Sequence, residues 1–178
     1  MSNKSNNINV RLANQADAET LAHIGVATFI DSYTEDIEGA AMVAHCTAQH
    51  SKAVYEAYLS NPESTCWIAE YTPTGAPIGY AVNCPPDLPI PLQRGDVELK
   101  RIYAMSRFHG AGIGLALMKA AVEQARSAGA ARLLLGTYEE NHRAMAFYAK
   151  HGFKTIGSRA FNVGGKIYDD IVMAVTLT

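Results

Sequence analysis

The chain has 178 residues, 48% hydrophobic and 18% charged, with a formal net charge of −2; that length calls for one core, burying roughly 70% of the unfolded surface. Its three cysteines, Cys46, Cys66 and Cys84, are widely spaced and form no C-x-x-C pair, which argues against a disulfide framework and a zinc site and leaves them as small buried apolar residues. The polar opening "MSNKSNN" (residues 1–7) is expected to be flexible, and the short alternating run after it is neither a signal peptide nor a membrane span, so a soluble, cytoplasmic protein is expected.

"INVRL" (residues 8–12) alternates as a strand. "ANQADAETLAHIGVATF" then switches to helical spacing at Leu21, Ile24 and Thr28, with Asn14 as N-cap and Asp17 three residues on. A second helix is predicted within residues 36–46 and a third over 51–59, stopped by Asn61 and Pro62. "TCWIAEY" and "PIGYAVNC" read as an antiparallel hairpin about "TPTGA", followed by "PPDLPIPLQRG" (residues 85–95), too rich in proline to be regular.

From Asp96 the order becomes strand, helix, strand, helix, strand. "VELKRIYA" is a strand, residues 112–128 a helix with Gly129 at C′, "ARLLLGTY" a strand, and "NHRAMAFYAKHG" a short helix capped by Gly152. "FKTIGSR" and "KIYDDIVMAVTL" close the chain as strands joined through "NVGG". No repeat or composition break divides the chain, so residues 1–178 are expected as a single domain of mixed α/β (α+β) class. Its sheet should be antiparallel at first and locally parallel beside the glycine loop, with helices on its faces.

Charge divides unevenly: residues 1–90 hold three Lys/Arg against ten Asp/Glu, and residues 91–178 hold twelve against seven. A polyanion suits the second half and a cation the first, although each charge taken singly can be plain solvated surface. Within the basic half, "RFHGAGIGLALMKAA" (residues 107–121) places glycines at 110, 112 and 114 ahead of a helix with Leu115, Met118, Val122 and Ala125 on one stripe. Such a loop lets main-chain N–H groups approach a phosphate at the positive end of the helix dipole, the alternative being a flexible turn. A Walker loop is excluded because no Gly-Lys-Ser/Thr follows, and a Rossmann fingerprint fails because Leu115 stands at the sixth position from Gly110.

"RIYAMSRFHGAGIGLALM" resembles motif A of the GNAT superfamily of N-acetyltransferases, whose pattern is Gln/Arg-x-x-Gly-x-Gly/Ala; His109, Gly112 and Gly114 align with it, and His109 departs from the usual Gln/Arg. "TYEENHRAMAFYAKHGF" (residues 137–153) resembles motif B, an Asn followed by a small residue and then Phe-Tyr-x-x-x-Gly-Phe. The resemblance covers nearly the whole chain, and the tail "DDIVMAVTL" is similar to that of bacterial spermidine/spermine acetyltransferases of the PaiA type.

The resemblance implies a twisted, mostly antiparallel sheet that splays at a parallel strand pair, and transfer of acetyl from acetyl-CoA to an amine in a ternary complex without an acyl-enzyme. It implies pyrophosphate on the amides of His109, Gly110, Ala111, Gly112, Ile113, Gly114 and Leu115, and the pantothenate arm along Ile102, Tyr103 and Ala104 as an added strand. Asn141 would hydrogen-bond that arm, and Lys150 would reach a terminal phosphate or else be a plain helix lysine. Tyr148 takes the family's general-acid position, its alternative being a core aromatic; a phenol with pKa near 10 stays protonated at neutral pH. A backbone N–H near Ala104 would hold the oxyanion.

An alkylamine is neutral in only about one molecule in 2,500 at pH 7, so a base is needed. Glu98 is the candidate, about 13 Å from Ile102 at strand rise and therefore acting through water, unless it merely pairs with Lys100 or Arg101. In "FIDSYTEDIEGA" (residues 29–40), Phe29, Asp31, Tyr33 and Glu35 suit a polyamine or lysine-like cation, or are surface residues only. His45 and His50 read as ordinary helix histidines, no metal is expected, and scattered basic residues without aromatic interleaving argue against nucleic acid. The expected partner is a small-molecule amine, with a homodimer admitted and no membrane. A regulatory acetyl-CoA-binding domain of little turnover, or a protein or amino-acid acceptor, are the alternatives. An imidazole at 109 would make cofactor affinity weaken as pH rises through about 6.5.

Overall fold

In the computed structural model, which describes residues 7–177, the chain runs β1 (Ile8–Leu12), α1 (Ala18–Tyr33), α2 (Gly39–Gln49), α3 (Lys52–Ser60), β2 (Thr65–Tyr71), β3 (Ala76–Cys84), β4 (Asp96–Ala104), α4 (Ile113–Ser127), β5 (Arg132–Tyr138), α5 (His142–Lys150), β6 (Lys154–Val163) and β7 (Lys166–Thr176). The strands make one sheet in the order β1-β2-β3-β4-β5-β7-β6, with every pair antiparallel except β4 and β5. This is the mixed architecture expected from the sequence. The flexibility expected of residues 1–7 lies outside the described residues except at Asn7, whose carbonyl accepts from the Thr72 N–H. No helix among the described residues is long and apolar enough to cross a membrane.

Asn14 and Asp17 form the reciprocal cap, but on a 3-10 turn (Gln15–Asp17) that leads into α1, and Arg11 grips the Asp17 carboxylate with two 2.8 Å bonds. The second helix lies three residues later than predicted: the amides of Asp36 and Ile37 close a turn on the Tyr33 carbonyl at the end of α1, and the backbone leaves helical geometry at Glu38 (φ −59°, ψ 138°), the N-cap from which α2 begins at Gly39. The closing hairpin turns at Gly164 and Gly165, both at positive φ (57° and 96°), and a Cβ on Gly164 would lie 2.1 Å from the Ala41 carbonyl oxygen. That turn therefore docks on α2 only because it has no side chain.

Helices cover both faces of the sheet. On one, α4 buries Ile113, Leu117, Met118, Ala121 and Ala125 against Leu99, Leu133 and Leu135. On the other, Leu21 and Ile24 of α1 and Tyr55 of α3 pack on Ile68, Tyr80 and Val82. Each such buried side chain contributes about 1.5–3 kcal/mol, and truncating Leu117 to alanine would cost about 2–5 kcal/mol.

Two irregularities in β4 position the site. Its parallel pairing with β5 covers only Asp96, Val97 and Glu98 against Arg132, Leu133 and Leu134; beyond them β4 follows β3 while β5 follows β7. The base of this fork is pinned by Asp96, which takes Arg132 Nε and Nη2 at 2.9 and 2.7 Å. Secondly, Val82 faces Arg101 and Asn83 faces Leu99, so Lys100 is an extra residue in the ladder. This bulge reverses the alternation. Leu99 points into the α4 core, whereas Tyr103 joins the opposite face, leaving Ile102 and Ala104 beside Leu99.

Candidate functional site

The glycine loop presents a run of main-chain donors with open space before them. Gly110 and Gly112 have φ of 83° and 91°, and a Cβ on either would meet nothing within 4 Å. The amides of Gly110, Gly112, Ile113, Gly114 and Leu115 find no acceptor among the described residues, while Ala111 N–H is bonded to the Phe108 carbonyl and His109 N–H to that of Ser106. Five free donors at the start of a 15-residue helix concentrate positive potential over a cavity of about 350 Å³ lined by these glycines. Of the seven amides expected to meet an anion, five have no acceptor among the described residues, and those of His109 and Ala111 close the preceding turn.

The electrostatics at position 109 differ from the expectation. Arg143 donates from Nη1 to His109 Nδ1, so that nitrogen is an acceptor; the proton sits on Nε2, which donates to the Ala104 carbonyl at 3.2 Å. Burial, then the Arg143 charge, lowers the imidazole pKa below its ordinary 6.5. His109 is therefore neutral across neutral pH and cannot supply the charge. The cation beside the cradle is Arg143, which lines both this cavity and its neighbour.

That neighbour, about 520 Å³, fills the fork between β4 and β5. Ile102, Tyr103, Ala104, His109, Arg143 and Tyr148 line both cavities, so the two meet beside Tyr148. The amphipathic α5 buries Tyr148 between Phe147 and Phe153, and its hydroxyl bonds to no described residue. Burial, then Tyr103, pushes its pKa up. Tyr33 and Tyr103 approach hydroxyl to hydroxyl at 3.5 Å, and burial raises both of their pKa values as well. These three phenols, among the five tyrosines that line the cavity, are protonated at neutral pH.

Of the other predicted residues, Asn141 caps α5 through Oδ1, which accepts from Ala144 N–H at 3.0 Å; Nδ2 has no acceptor among the described residues and the side chain lines the larger cavity. Phe29 and Tyr33 line it too. Asp31 and Glu35 do not: Asp31 accepts from the N–H and hydroxyl of Ser106 at 2.6 and 2.9 Å, and Glu35 is exposed. Lys150 is exposed on α5 away from both cavities. Glu98 is only 1% exposed and lines neither cavity; one oxygen takes Asp87 N–H at 2.8 Å and the other meets Lys100 Nζ at 3.3 Å. Both of its oxygens are thus occupied, one tethering the proline-rich loop through Asp87 and the other paired with Lys100 on its own strand.

The histidines are not ordinary. His50 ends α2 and is buried, taking an N–H from Arg101 at 3.0 Å on Nε2 and donating from Nδ1 to the Tyr55 hydroxyl at 2.9 Å. Burial, then the Arg101 charge, lowers His50 to about 2 and His45 to about 4. Sequence reasoning also passed over Arg143, which sits within motif B, and the Arg159–Asp170 pair (2.8 Å), which the β6–β7 register delivers into the larger cavity.

Residues 29–153 match the acetyltransferase (GNAT) family. The chain is 34% identical over 160 residues to an uncharacterized N-acetyltransferase of Mycobacterium tuberculosis, covering 88% of this chain and 96% of that one. Among solved structures it is similar to the PaiA N-acetyltransferase of Thermoplasma acidophilum in complex with coenzyme A (TM-score 0.77, 19% identity, 95% and 98% of the two chains). It is also similar to yncA of Salmonella typhimurium with acetyl-CoA (TM-score 0.70, 20% identity, 97% and 95%).

Proposed function

The chain belongs to the acetyltransferase (GNAT) family, and from that premise we propose that it transfers acetyl from acetyl-CoA to the amine of a small molecule, with the thioester beside Tyr148. One observation carries the reading: a loop of five amides opens into the β4–β5 fork at a buried tyrosine, and neither those amides nor the tyrosine hydroxyl has a partner among the described residues. Acetyl-CoA supplies the activated acyl group and the thiol leaving group. The chain's residues bind, orient and move protons around them.

The Gly110 and Gly112–Leu115 amides, helped by Arg143, hold the pyrophosphate, while the unpaired edge of β4 at Ile102 and Tyr103 receives the pantetheine arm as an added strand and Asn141 Nδ2 bonds it. The Ala104 carbonyl is engaged by His109, which leaves the main-chain N–H groups of this stretch to face the thioester oxygen. Tyr148 protonates the departing thiolate. A phenol is a weaker acid than a thiol in water, and burial raises both, as it does Tyr148, Cys66 and Cys84 here, so the transfer is driven by the cost of leaving a bare thiolate in a desolvated slot.

The polyamine reading is supported by the tail's resemblance to the PaiA type and by the aromatic wall of Phe29 and Tyr33. The buried acid of the lining is Asp170, beside the exposed Asp36 and Asp87, whereas Asp31 and Glu35 lie outside it. Release of free thiol from acetyl-CoA, measured over a panel of spermidine, spermine, alkylamines and amino acids, tests the proposal. Turnover with at least one amine is expected. Acetyl-CoA binding without turnover on any amine would replace the enzyme by a regulatory binding domain.

A further inference from the structure

Three acids line the larger cavity, and they differ in kind. Asp36 and Asp87 are exposed, whereas Asp170 on β7 is 5% exposed. Its Oδ2 accepts from Nε and Nη2 of Arg159 at 3.0 and 2.8 Å. Oδ1 takes no hydrogen bond among the described residues and, unlike the Tyr80 hydroxyl or Arg101 Nε, is not sealed off without a partner, so it opens to the cavity.

Arg159 is held as firmly as the acid it serves. Its guanidinium stacks over Phe161 at 4.5 Å, and it occupies the space above Gly136, where a Cβ would come within 2.7 Å of it. Two elements therefore fix one oxygen of Asp170 and leave the other free.

The surroundings are phenolic. Tyr33 from α1 and Tyr103 from β4 both feel the Asp170 charge, Tyr33 also feels Tyr148, and Tyr138 faces Asp170 across the β5–β7 ladder. The charged groups acting on Asp170 are Arg159 from β6 and its neighbour Asp169. Burial raises the Asp170 pKa and Arg159 opposes the rise. The same burial lowers the pKa of an ammonium brought in beside it, so donor and acceptor converge.

Resting on the acetyltransferase reading above, we propose that Asp170 receives the acceptor's ammonium on Oδ1 and takes its proton, delivering a neutral amine to the thioester. The ammonium gives one proton to Oδ1, and the freed lone pair forms the N–C bond to the carbonyl carbon. The C–S bond breaks with its electron pair on sulfur, and the thiolate takes the phenolic proton of Tyr148. Tyrosinate recovers a proton from the nitrogen, which is left as the neutral amide. Asp170 passes its proton to water, the single proton that acetylation of an ammonium releases. Glu98, closed in by Asp87 and Lys100, keeps the proline-rich loop in place.

The test compares ethylamine with 2,2,2-trifluoroethylamine, whose fluorines leave it largely unprotonated at neutral pH, in wild type and in Asp170→Asn. With ethylamine the variant should lose about 100-fold or more in kcat/KM. With trifluoroethylamine the loss should shrink to a few fold, because no proton needs removing, and the Kd of acetyl-CoA should be unchanged in both. Equal losses for the two amines, no loss for either, or this amine-dependent pattern in Glu98→Gln but not in Asp170→Asn would overturn the proposal. Should the single variant fail to fold, Arg159→Gln with Asp170→Asn removes the buried pair together and carries the same comparison. A wild type inert toward every amine is a different failure, that of the acetyltransferase reading itself.

Discussion

Replacing Tyr148 by phenylalanine removes one oxygen and little else. The ring keeps its contacts with Phe147 and Phe153, whose centroids lie 5.6 and 5.9 Å away, and no described donor or acceptor loses a partner because the hydroxyl has none. Stability should therefore stay within about 1 kcal/mol of wild type, a shift of about 2–4 °C in Tm at most. The thiolate, by contrast, would leave a buried slot with no acid beside it. General-acid catalysis is worth about 10²–10⁴-fold, or about 2.7–5.4 kcal/mol of transition-state stabilisation, and the loss should fall on kcat with the Kd of acetyl-CoA unchanged. The assay is thiol release at saturating acetyl-CoA, paired with a thermal melt. A Tyr148→Phe variant with kcat within about threefold of wild type would refute the assignment of Tyr148 as the acid.

Further outcomes concern the cradle and the histidines. Gly112→Ala forces a Cβ onto φ of 91°, which should cost about 1–2 kcal/mol and weaken acetyl-CoA binding, read by calorimetry. Affinity for acetyl-CoA should not weaken as pH rises from about 7 to 8, because the His109 pKa is held below its ordinary 6.5 and the imidazole has no charge left to lose there; Arg143→Gln should weaken binding. His45 has its pKa lowered to about 4, so the unfolded chain binds the extra proton between about 6.5 and 4, and stability should fall as pH drops through that window. In His45→Gln, the denaturation free energy plotted against pH should be shallower there by up to one proton. Gly164→Ala drives a Cβ into the Ala41 carbonyl and should lower Tm by detaching the closing turn from α2.

The elements could be read from the sequence because their signals are local: the capping pair Asn14 and Asp17, the glycines at 129 and 152, and the two-glycine turn at 164 and 165 each act within a few residues. The cradle was legible for the same reason. Lys100 as a bulge was not, since an extra residue in a ladder is defined only by the partner strand, and with it went the facing of Arg101 and Tyr103. The acids of residues 29–40 drew attention by composition, yet Asp31 turns to Ser106 and away from the cavity, whereas Asp170 arrives there by the register of β7 against β5 and β6. Similarly, Glu98 stood out as an acid on the cofactor strand, and only the return of the 85–95 loop reveals that its oxygens are occupied. What the sequence withheld is what long-range packing decides.

On the proposed function, acetyl-CoA lies along the splayed edge of β4 with its pyrophosphate on the glycine loop. Titrating isotope-labelled protein with acetyl-CoA and following backbone amide shifts tests it directly. The largest changes are predicted at Gly110 and Gly112–Leu115 and along Ile102–Ala104, where the amides are free or line the fork. Saturable binding that leaves those amides unmoved and perturbs another face of the sheet would contradict the account.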